Sequence, residues 1–229
     1  MVFPMLIVHH LNNSRSQRVL WLLEELGVPY RVVRYERDRA TMRAPAELQK
    51  IHPLGKSPVI ETEEGDKIAE TGAILEYLID RYDTARQLVP PPGTPERQQW
   101  TYWLHYAEGS AMPLLLLKLV FMRMPAGVPF FLRPLVNKIA KTAQAKVTDP
   151  QLSQHMLYWA DALRQGNGWF AGKAFSAADI MMSFPLEAAA ARIGLGEGHG
   201  PIKDFLERIH SRPAFLRALE TGGPYELLR

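Results

Sequence analysis

Cysteine is absent from this chain of 229 residues. Its absence excludes disulfide bonds, thiolate metal sites and any reaction that uses a thiol of the protein itself. Long hydrophobic runs are missing too, because the two most apolar stretches, 113–121 and 180–191, fall well short of a membrane span, which needs about 20 residues. We predict that both are buried helices. The first residues show neither the basic region nor the cleavage site of a signal peptide. We therefore expect a cytoplasmic protein with no membrane partner.

A strong excess of one charge is also missing, since 27 basic and 24 acidic residues leave a net charge of +3. Basic residues do cluster in 133–146, but helical spacing among Leu, Ile and Val is typical of a solvated helix face. No basic stripe with interleaved aromatics points to nucleic acid. The 7 histidines show no metal-ligand spacing, and no phosphate-binding glycine motif is present. Neither a nucleic-acid partner nor a metal is expected.

The first 82 residues alternate between strand and helix patterns. The order is a βαβ unit, a connecting helix and a ββα unit, with a turn at Glu64-Gly65 between the last two strands. Gly27 stands where the first helix should end. The predicted strands are 5–8, 30–35 and the two flanking that turn, and the predicted helices are 14–27, 44–51 and 71–82.

A stretch rich in proline, 83–94, is the predicted linker. Residues 95–229 show helical patterns and no convincing strand. Ser176 and Asp179 form a capping-box pattern at the start of one of these helices. We therefore predict an α/β domain over 1–82 and an all-helical domain over 95–229.

A few polar residues of the first domain are candidates for chemistry. Ser14, with Gln17 three residues later, fits a capping box, and Thr71 fits an N-cap. Both positions also suit an anion, because a helix start offers free N–H groups and positive potential. Lys56 would add a third point attractive to anions. Pro58 stands just before a strand and, taken alone, is expected to be trans.

In this order and spacing, the motifs jointly resemble the glutathione S-transferase superfamily, in its serine-type bacterial and fungal branch. They are SRSQR (14–18), HPLGKSPVI (52–60), Glu70-Thr71 and FSAADI (175–180). The resemblance covers the whole chain. It implies a thioredoxin-like first domain that binds glutathione and a helical second domain that supplies most of the pocket for a second substrate. It also implies a homodimer and a cis Ser57–Pro58 bond.

The resemblance also implies a role for each candidate residue. Ser14 would donate a hydrogen bond to the glutathione sulfur, with Asn12, Asn13 and Ser16 as alternatives. The glutathione-binding residues would be Lys50, His52, Lys56, Ser57, Pro58, Glu70 and Thr71.

The implied activity is conjugation of the glutathione thiolate to hydrophobic electrophiles, with reduction of organic hydroperoxides as a further activity. Tyr106, Ser110 and Met112 are the predicted electrophile pocket. Glutathione would be the co-substrate. The alternative is a non-catalytic interaction protein of the same fold, like the starvation-response regulators that bind RNA polymerase.

Overall fold

The computed structural model describes residues 5–38 and 41–228. The first part is a four-stranded sheet with helices, in the order β1 (Leu6–Leu11), α1 (Ser16–Leu26), β2 (Tyr30–Tyr35), α2 (Glu47–Ile51), β3 (Val59–Glu61), β4 (Lys67–Ala69) and α3 (Thr71–Tyr82). The strands lie in the order β2-β1-β3-β4. β1 is parallel to β2 and antiparallel to β3, and β3 is antiparallel to β4. This is the predicted thioredoxin-like α/β architecture.

The predicted turns and ends of this part are largely confirmed. Gly27 adopts φ 65° and its N–H closes α1 on the carbonyl of Leu23. Gly65 adopts φ 91° in the β3–β4 hairpin. β1 is longer than predicted, because it continues through His9 and His10 to Leu11. Both histidines are buried. Because they are polar, the sequence pattern did not show that the strand continues through them.

Two predicted helix caps are wrong. The residue before α1 is Arg15 and the residue before α3 is Glu70, and neither helix has a side-chain cap. The Ser14 hydroxyl instead contacts Ser16, and Thr71 is the first helical residue. The Ser14 hydroxyl contacts the hydroxyl and the N–H of Ser16, the first residue of α1, whereas the Thr71 hydroxyl makes a tertiary contact with Arg18.

The second part is helical. Its helices are α4 (Pro95–Tyr106), α5 (Met112–Arg123), α6 (Arg133–Ala143), α7 (Asp149–Gln165), α8 (Ala177–Ile193), α9 (Gly200–His210) and α10 (Pro213–Gly222), and short 3₁₀ turns cover Met124–Gly127, Phe130–Leu132 and Glu226–Leu228. No strand occurs after residue 95 in the described part of the chain. The predicted linker 83–94 contains no helix or strand, yet Leu88 and Val89 are buried in it.

Two π-helical turns join helices that the sequence presents as continuous. Ala107–Ala111 lies between α4 and α5, and Gln144–Thr148 lies between α6 and α7. A proline follows each turn at the second residue of the next helix, Pro113 and Pro150. A proline has no N–H to donate and its ring clashes with the carbonyl four residues earlier. A widened turn relieves both problems, and such turns are frequent at functional sites.

Helix α8 is the centre of the second part. It contacts α1, α3, α4, α5 and α9, and residues 177–189 are all buried. Ser176 and Asp179 form the predicted capping box at its start. The prediction that 180–191 is a buried helix is thus confirmed. The matching prediction for 113–121 is wrong, because only Leu115 is buried in that run.

Candidate functional site

A cavity of about 390 Å³ lies where the sheet part meets the helical part. Eleven residues line it: Arg15, His52, Leu54, Lys56, Ser57, Pro58, Ala69, Glu70, Thr71, Glu108 and Leu116. Six of the residues predicted from the sequence are among them, drawn from two separate stretches of the chain. The structure therefore brings together His52, Lys56, Ser57, Pro58, Glu70 and Thr71.

The end of β1 fixes the position of Ser57. The Ser57 hydroxyl donates to the carbonyl of His9 at 2.8 Å and accepts the N–H of Leu11 at 3.2 Å. The Ser57–Pro58 peptide bond is cis. Because the hydroxyl is engaged with β1, Ser57 has its main chain left to offer to a ligand.

Glu70 and Thr71 lie at the opening of α3. Glu70 adopts φ 70° and ψ 125°, a backbone conformation that is costly for a residue with a side chain and that clusters at binding sites. Its carboxylate is exposed, while Thr71 is buried. The first N–H groups of a helix have no partner within the helix. An acidic side chain and a set of free donors therefore lie next to each other on the cavity wall.

Two arginines of α1 share one carboxylate from the helical part. The Arg15 Nε donates to both oxygens of Glu108, at 3.0 and 2.9 Å, and Arg18 contacts the same carboxylate. Burial raises the pKa of Glu108, but the charges of Arg18 and Arg15 outweigh burial and hold that pKa below its ordinary value. The carboxylate is ionised at neutral pH, and the three groups together carry a net charge of +1 beside the cavity.

Arg18 is fully buried and connects three elements. Its Nη2 donates to the Thr71 hydroxyl at 3.3 Å, and its Nη1 donates to the carbonyl of Met181 at 2.8 Å. That carbonyl is free because Pro185, four residues later in α8, has no N–H to offer it. Arg18 therefore fixes the start of α3 against the middle of α8.

Ser14 does not line the cavity. Its side chain is 4% exposed, and its hydroxyl lies 2.7 Å from the hydroxyl of Ser16, which lies 2.9 Å from Nδ1 of His10. Burial lowers the pKa of His10 to about 4, and the charge of Arg34 acts in the same direction. His10 is therefore neutral at pH 7. A hydrogen bond to the main chain of Gly222 acts in the opposite direction and is outweighed.

The Ser16 hydroxyl lies between the Ser14 hydroxyl and Nδ1 of His10. The carbonyl of Leu11, 3.3 Å from the Ser16 hydroxyl, is an acceptor for its proton. Arg15, the residue after Ser14, lies on the cavity wall itself.

The other predicted site residues are placed elsewhere. Asn12 accepts the N–H of Arg37, and Asn13 accepts the N–H of Glu226, each through its side-chain oxygen, at 2.9 and 2.8 Å. Lys50 is exposed on α2 and does not line the cavity.

The three predicted electrophile-pocket residues do not line the cavity either. Tyr106 and Met112 are buried in the helical core, and Ser110 is exposed. Glu108 and Leu116, from the same helical stretch, line the cavity instead. The π turn at 107–111 lies between Tyr106 and Leu116.

Sequence reasoning also gave no role to Arg15, Arg18 or Glu108. Two signals were available. Glu108 is the single acidic residue between 97 and 148, and Pro185 stands inside an otherwise helical pattern. Neither signal identifies the contacting residue. Glu108 pairs with Arg15 and Arg18, and the carbonyl freed by Pro185 accepts from Arg18, and both arginines lie in the other half of the chain.

Comparison with known proteins agrees with this fold and site. Residues 4–80 match the pattern of the glutathione S-transferase N-terminal domain, and residues 122–213 match that of the C-terminal domain. This chain belongs to the glutathione S-transferase family.

Full-length relatives support this assignment. Glutathione S-transferase 1 of Saccharomyces cerevisiae is 34% identical over 227 residues, which cover 96% of each chain. Glutathione S-transferase 3 of Schizosaccharomyces pombe is 34% identical over 216 residues, covering 94% of this chain and 87% of the relative. The crystal structure of a glutathione S-transferase from Actinobacillus pleuropneumoniae has a TM-score of 0.78 and 30% identity, and the match covers 98% of this chain and 96% of the other.

Proposed function

We propose that this protein is a glutathione transferase that conjugates the glutathione thiolate to hydrophobic electrophiles. The observation that carries the proposal is the cavity itself. Its volume of about 390 Å³ falls within the range of small-molecule sites. One acidic group, several cationic groups and a helix start line the same space, which suits a tripeptide with one ammonium and two carboxylates.

Each end of glutathione has a partner of opposite charge. Glu70 takes the γ-glutamyl ammonium, and the Thr71 hydroxyl with the first N–H groups of α3 takes the neighbouring carboxylate. The Thr71 hydroxyl accepts from Arg18, so its own proton is available to an anion. Lys56 and His52 take the glycyl carboxylate. The main chain of Ser57 pairs with the cysteinyl residue as an added strand does.

The thiolate is stabilised at the start of α1. A thiol has a pKa near ~8.5, and lowering it by about two units takes ~2.7 kcal/mol. The Ser14 hydroxyl would supply a charge-assisted hydrogen bond of about 1.5–3 kcal/mol, and a helix start adds ~0.3–1 kcal/mol. The net positive charge of Arg15, Arg18 and Glu108 acts in the same direction. We propose Ser14 as the sulfur donor on this basis.

The electrophile enters beside the apolar part of the wall. Leu54 and Leu116 are exposed leucines on opposite sides of the cavity, one from the loop after α2 and one from α5. A hydrophobic second substrate covers both. The same thiolate would also attack an organic hydroperoxide, releasing the alcohol and leaving glutathione sulfenic acid, which a second glutathione converts to glutathione disulfide and water.

We also propose that the protein is a cytoplasmic homodimer, as is implied by its family. Tyr102 of α4 and Tyr158 of α7 support an interface, because they are 42% and 43% exposed and their hydroxyls are 3.2 Å apart. Leu157 is exposed on the same helix. Paired exposed aromatics are typical of interface cores.

Retention on immobilised glutathione, followed by a conjugation assay with a chlorinated nitrobenzene, tests the activity. We expect retention and turnover. Glu70→Gln should weaken glutathione binding at least tenfold, because it removes a charge-assisted hydrogen bond. Glu63→Gln is the control, since Glu63 is an acidic residue of the neighbouring hairpin that does not line the cavity. No retention and no turnover would establish the non-catalytic interaction protein instead.

The pH–rate profile of Ser14→Ala tests the sulfur donor. We expect the apparent pKa of the bound thiol to rise by about one to two units, the value of one charge-assisted hydrogen bond. Ser16→Ala is the matched comparison, because it removes the hydroxyl that contacts Ser14 and should leave that pKa unchanged or lower it. A rise in that pKa would identify Ser16 as the donor instead. If Ser14→Ala does not move the profile, Arg15 and the helix start carry the stabilisation.

A further inference from the structure

Two half-buried arginines, Arg37 and Arg192, form no ion pair with any described residue. Arg37 donates instead to the main-chain carbonyls of Asn12 and Met42, at 3.3 and 3.2 Å. Arg192 donates to the main-chain carbonyl of Leu115 at 3.0 Å. The Nη2 group of each arginine has no acceptor among the described residues. Because a charge removed from water is costly without an opposite charge, two such groups suit an anionic ligand.

The charges around these two arginines are positive. After burial, the charges of Arg15 and Arg123 lower the pKa of Arg37 and of Arg192. No carboxylate is among the influences on either pKa. Glu108, the acidic group beside Arg15, is already engaged with it through both oxygens. Positive charge therefore accumulates around Arg15, and this charge attracts an anion.

The strand order separates these arginines from the residues proposed to bind glutathione. The ends of β1, β2 and β4 and the start of β3 meet at one edge of the sheet, in the order β2-β1-β3-β4. Along that edge, Arg37 follows β2 and Ser14 follows β1. Ser57 precedes β3 and Glu70 follows β4. A group joined to a sulfur at Ser14 can therefore extend away from glutathione and towards Arg37.

Arg37 is fixed beside the loop that carries Ser14. Its main-chain N–H donates to the side-chain oxygen of Asn12 at 2.9 Å, and its Nε donates to the carbonyl of the same residue. Asn12 lies two residues before Ser14. The guanidinium of Arg37 is therefore held next to the place where the sulfur would react.

Arg192 and Arg123 reach this region from the helical part. Arg192 contacts the carbonyl of Leu115, and the next residue, Leu116, lines the cavity. Arg123 lies seven residues after Leu116 on α5, which is about two helical turns, so the two share one helix face. A ligand with an apolar body over Leu116 would thus have cationic groups on two sides.

We propose that the second substrate of this protein is an electrophile that carries a carboxylate on an apolar body. This inference rests on the proposed glutathione transferase activity. The electrophilic carbon meets the glutathione sulfur at Ser14, the apolar body covers Leu116, and the carboxylate contacts Arg37 and Arg192. A guanidinium suits this role because its N–H donors form a planar fork that matches a carboxylate.

Two aromatic electrophiles that differ in charge test the proposal: a chlorodinitrobenzoate, with chlorine opposite the carboxylate, and its methyl ester. In both reactions the glutathione sulfur bonds to the ring carbon that carries chlorine, and chloride leaves with the electron pair of the broken bond. The measured quantity is the ratio of kcat/KM for the carboxylate to kcat/KM for the ester. Loss of folded enzyme or of thiolate lowers both values equally and leaves this ratio unchanged.

Arg37→Gln and Arg192→Gln should each lower the ratio about tenfold, because each removes a charged hydrogen-bond donor to the carboxylate. Arg192→Lys should lower it less, since it keeps the charge and loses only the fork. Rising salt should also lower the ratio of the natural chain. Arg208→Gln is the matched control and should not change the ratio. Arg208 likewise donates to a main-chain carbonyl, that of Gly168 at 2.8 Å, but it lies on α9 and does not line the cavity.

The outcomes separate this inference from the function on which it rests. An unchanged ratio in both glutamine variants overturns the carboxylate-bearing substrate, and turnover of the ester then still supports the transferase. Equal losses with both substrates leave the ratio unchanged and have the same meaning, because they would show that the two arginines only support the fold. No turnover of either substrate by the natural chain overturns the proposed function and this inference with it.

Discussion

Two apolar stretches of similar composition have opposite environments in this protein. In the α8 stretch 180–191, every residue through Ala189 is buried. In the α5 stretch 113–121, Leu115 alone is buried. The helix α8 has neighbours on all sides, whereas α5 contacts α6, α7 and α8 and leaves its other face open. The comparison teaches that the hydrophobicity of a segment does not predict its burial. Burial depends on which distant parts of the chain, or which partner, pack against it.

A leucine-to-alanine pair gives the largest expected difference between the two helices. Leu186 on α8 is fully buried, and Leu116 on α5 is 53% exposed. Leu186→Ala should lower the free energy of unfolding by ~3 kcal/mol, because it leaves a cavity in a packed core. Leu116→Ala should lower it by less than about 0.5 kcal/mol.

Urea unfolding at neutral pH measures both changes. Equal losses from the two variants would mean that α5 is covered in solution. A shift in the molar mass of Leu116→Ala would then identify the cover as a second copy.

Acid should lower the stability of the chain by a smaller amount, through His10 of β1. The folded pKa of His10, about 4, lies below the ordinary value near 6.5. Between those values the unfolded chain binds a proton that the folded chain does not bind, so stability falls as the pH drops from about 6.5 towards 4. From pH 7 to pH 5 the loss attributable to His10 is about 2 kcal/mol.

Unfolding free energies at pH 7 and pH 5 for the natural chain and for His10→Asn measure this loss. The variant should lose about 2 kcal/mol less on acidification. Identical pH dependence in the two proteins would contradict the assignment of the loss to His10.

Local patterns predicted most of the fold. The strand at 30–35, the helix at 71–82 and the capping box at Ser176 and Asp179 depend on residues close in sequence, and all three are confirmed. The failures have one cause. Ser14, Thr71 and the stretch 113–121 depend on what lies beside them in space, and a single sequence does not state that.

The candidate site divides in the same way. Glu70, Thr71, Lys56 and Ser57 could be selected because short motifs carry them. The net charge of Arg15, Arg18 and Glu108 could not, because it depends on the approach of two halves of the chain. The electrophile-pocket prediction of Tyr106, Ser110 and Met112 remains a prediction, although none of the three lines the cavity.

That π turn has an evolutionary consequence. One residue added to a helix with 3.6 residues per turn rotates all that follows by about 100°. At 107–111 the addition leaves Trp100 and Trp103 in the core and decides which side chains of α5 face the cavity, Leu116 among them. A single-codon insertion or deletion at Gly109 would therefore present a different wall to the second substrate in one step. A lineage can change its choice of electrophile here without rebuilding the glutathione half of the molecule.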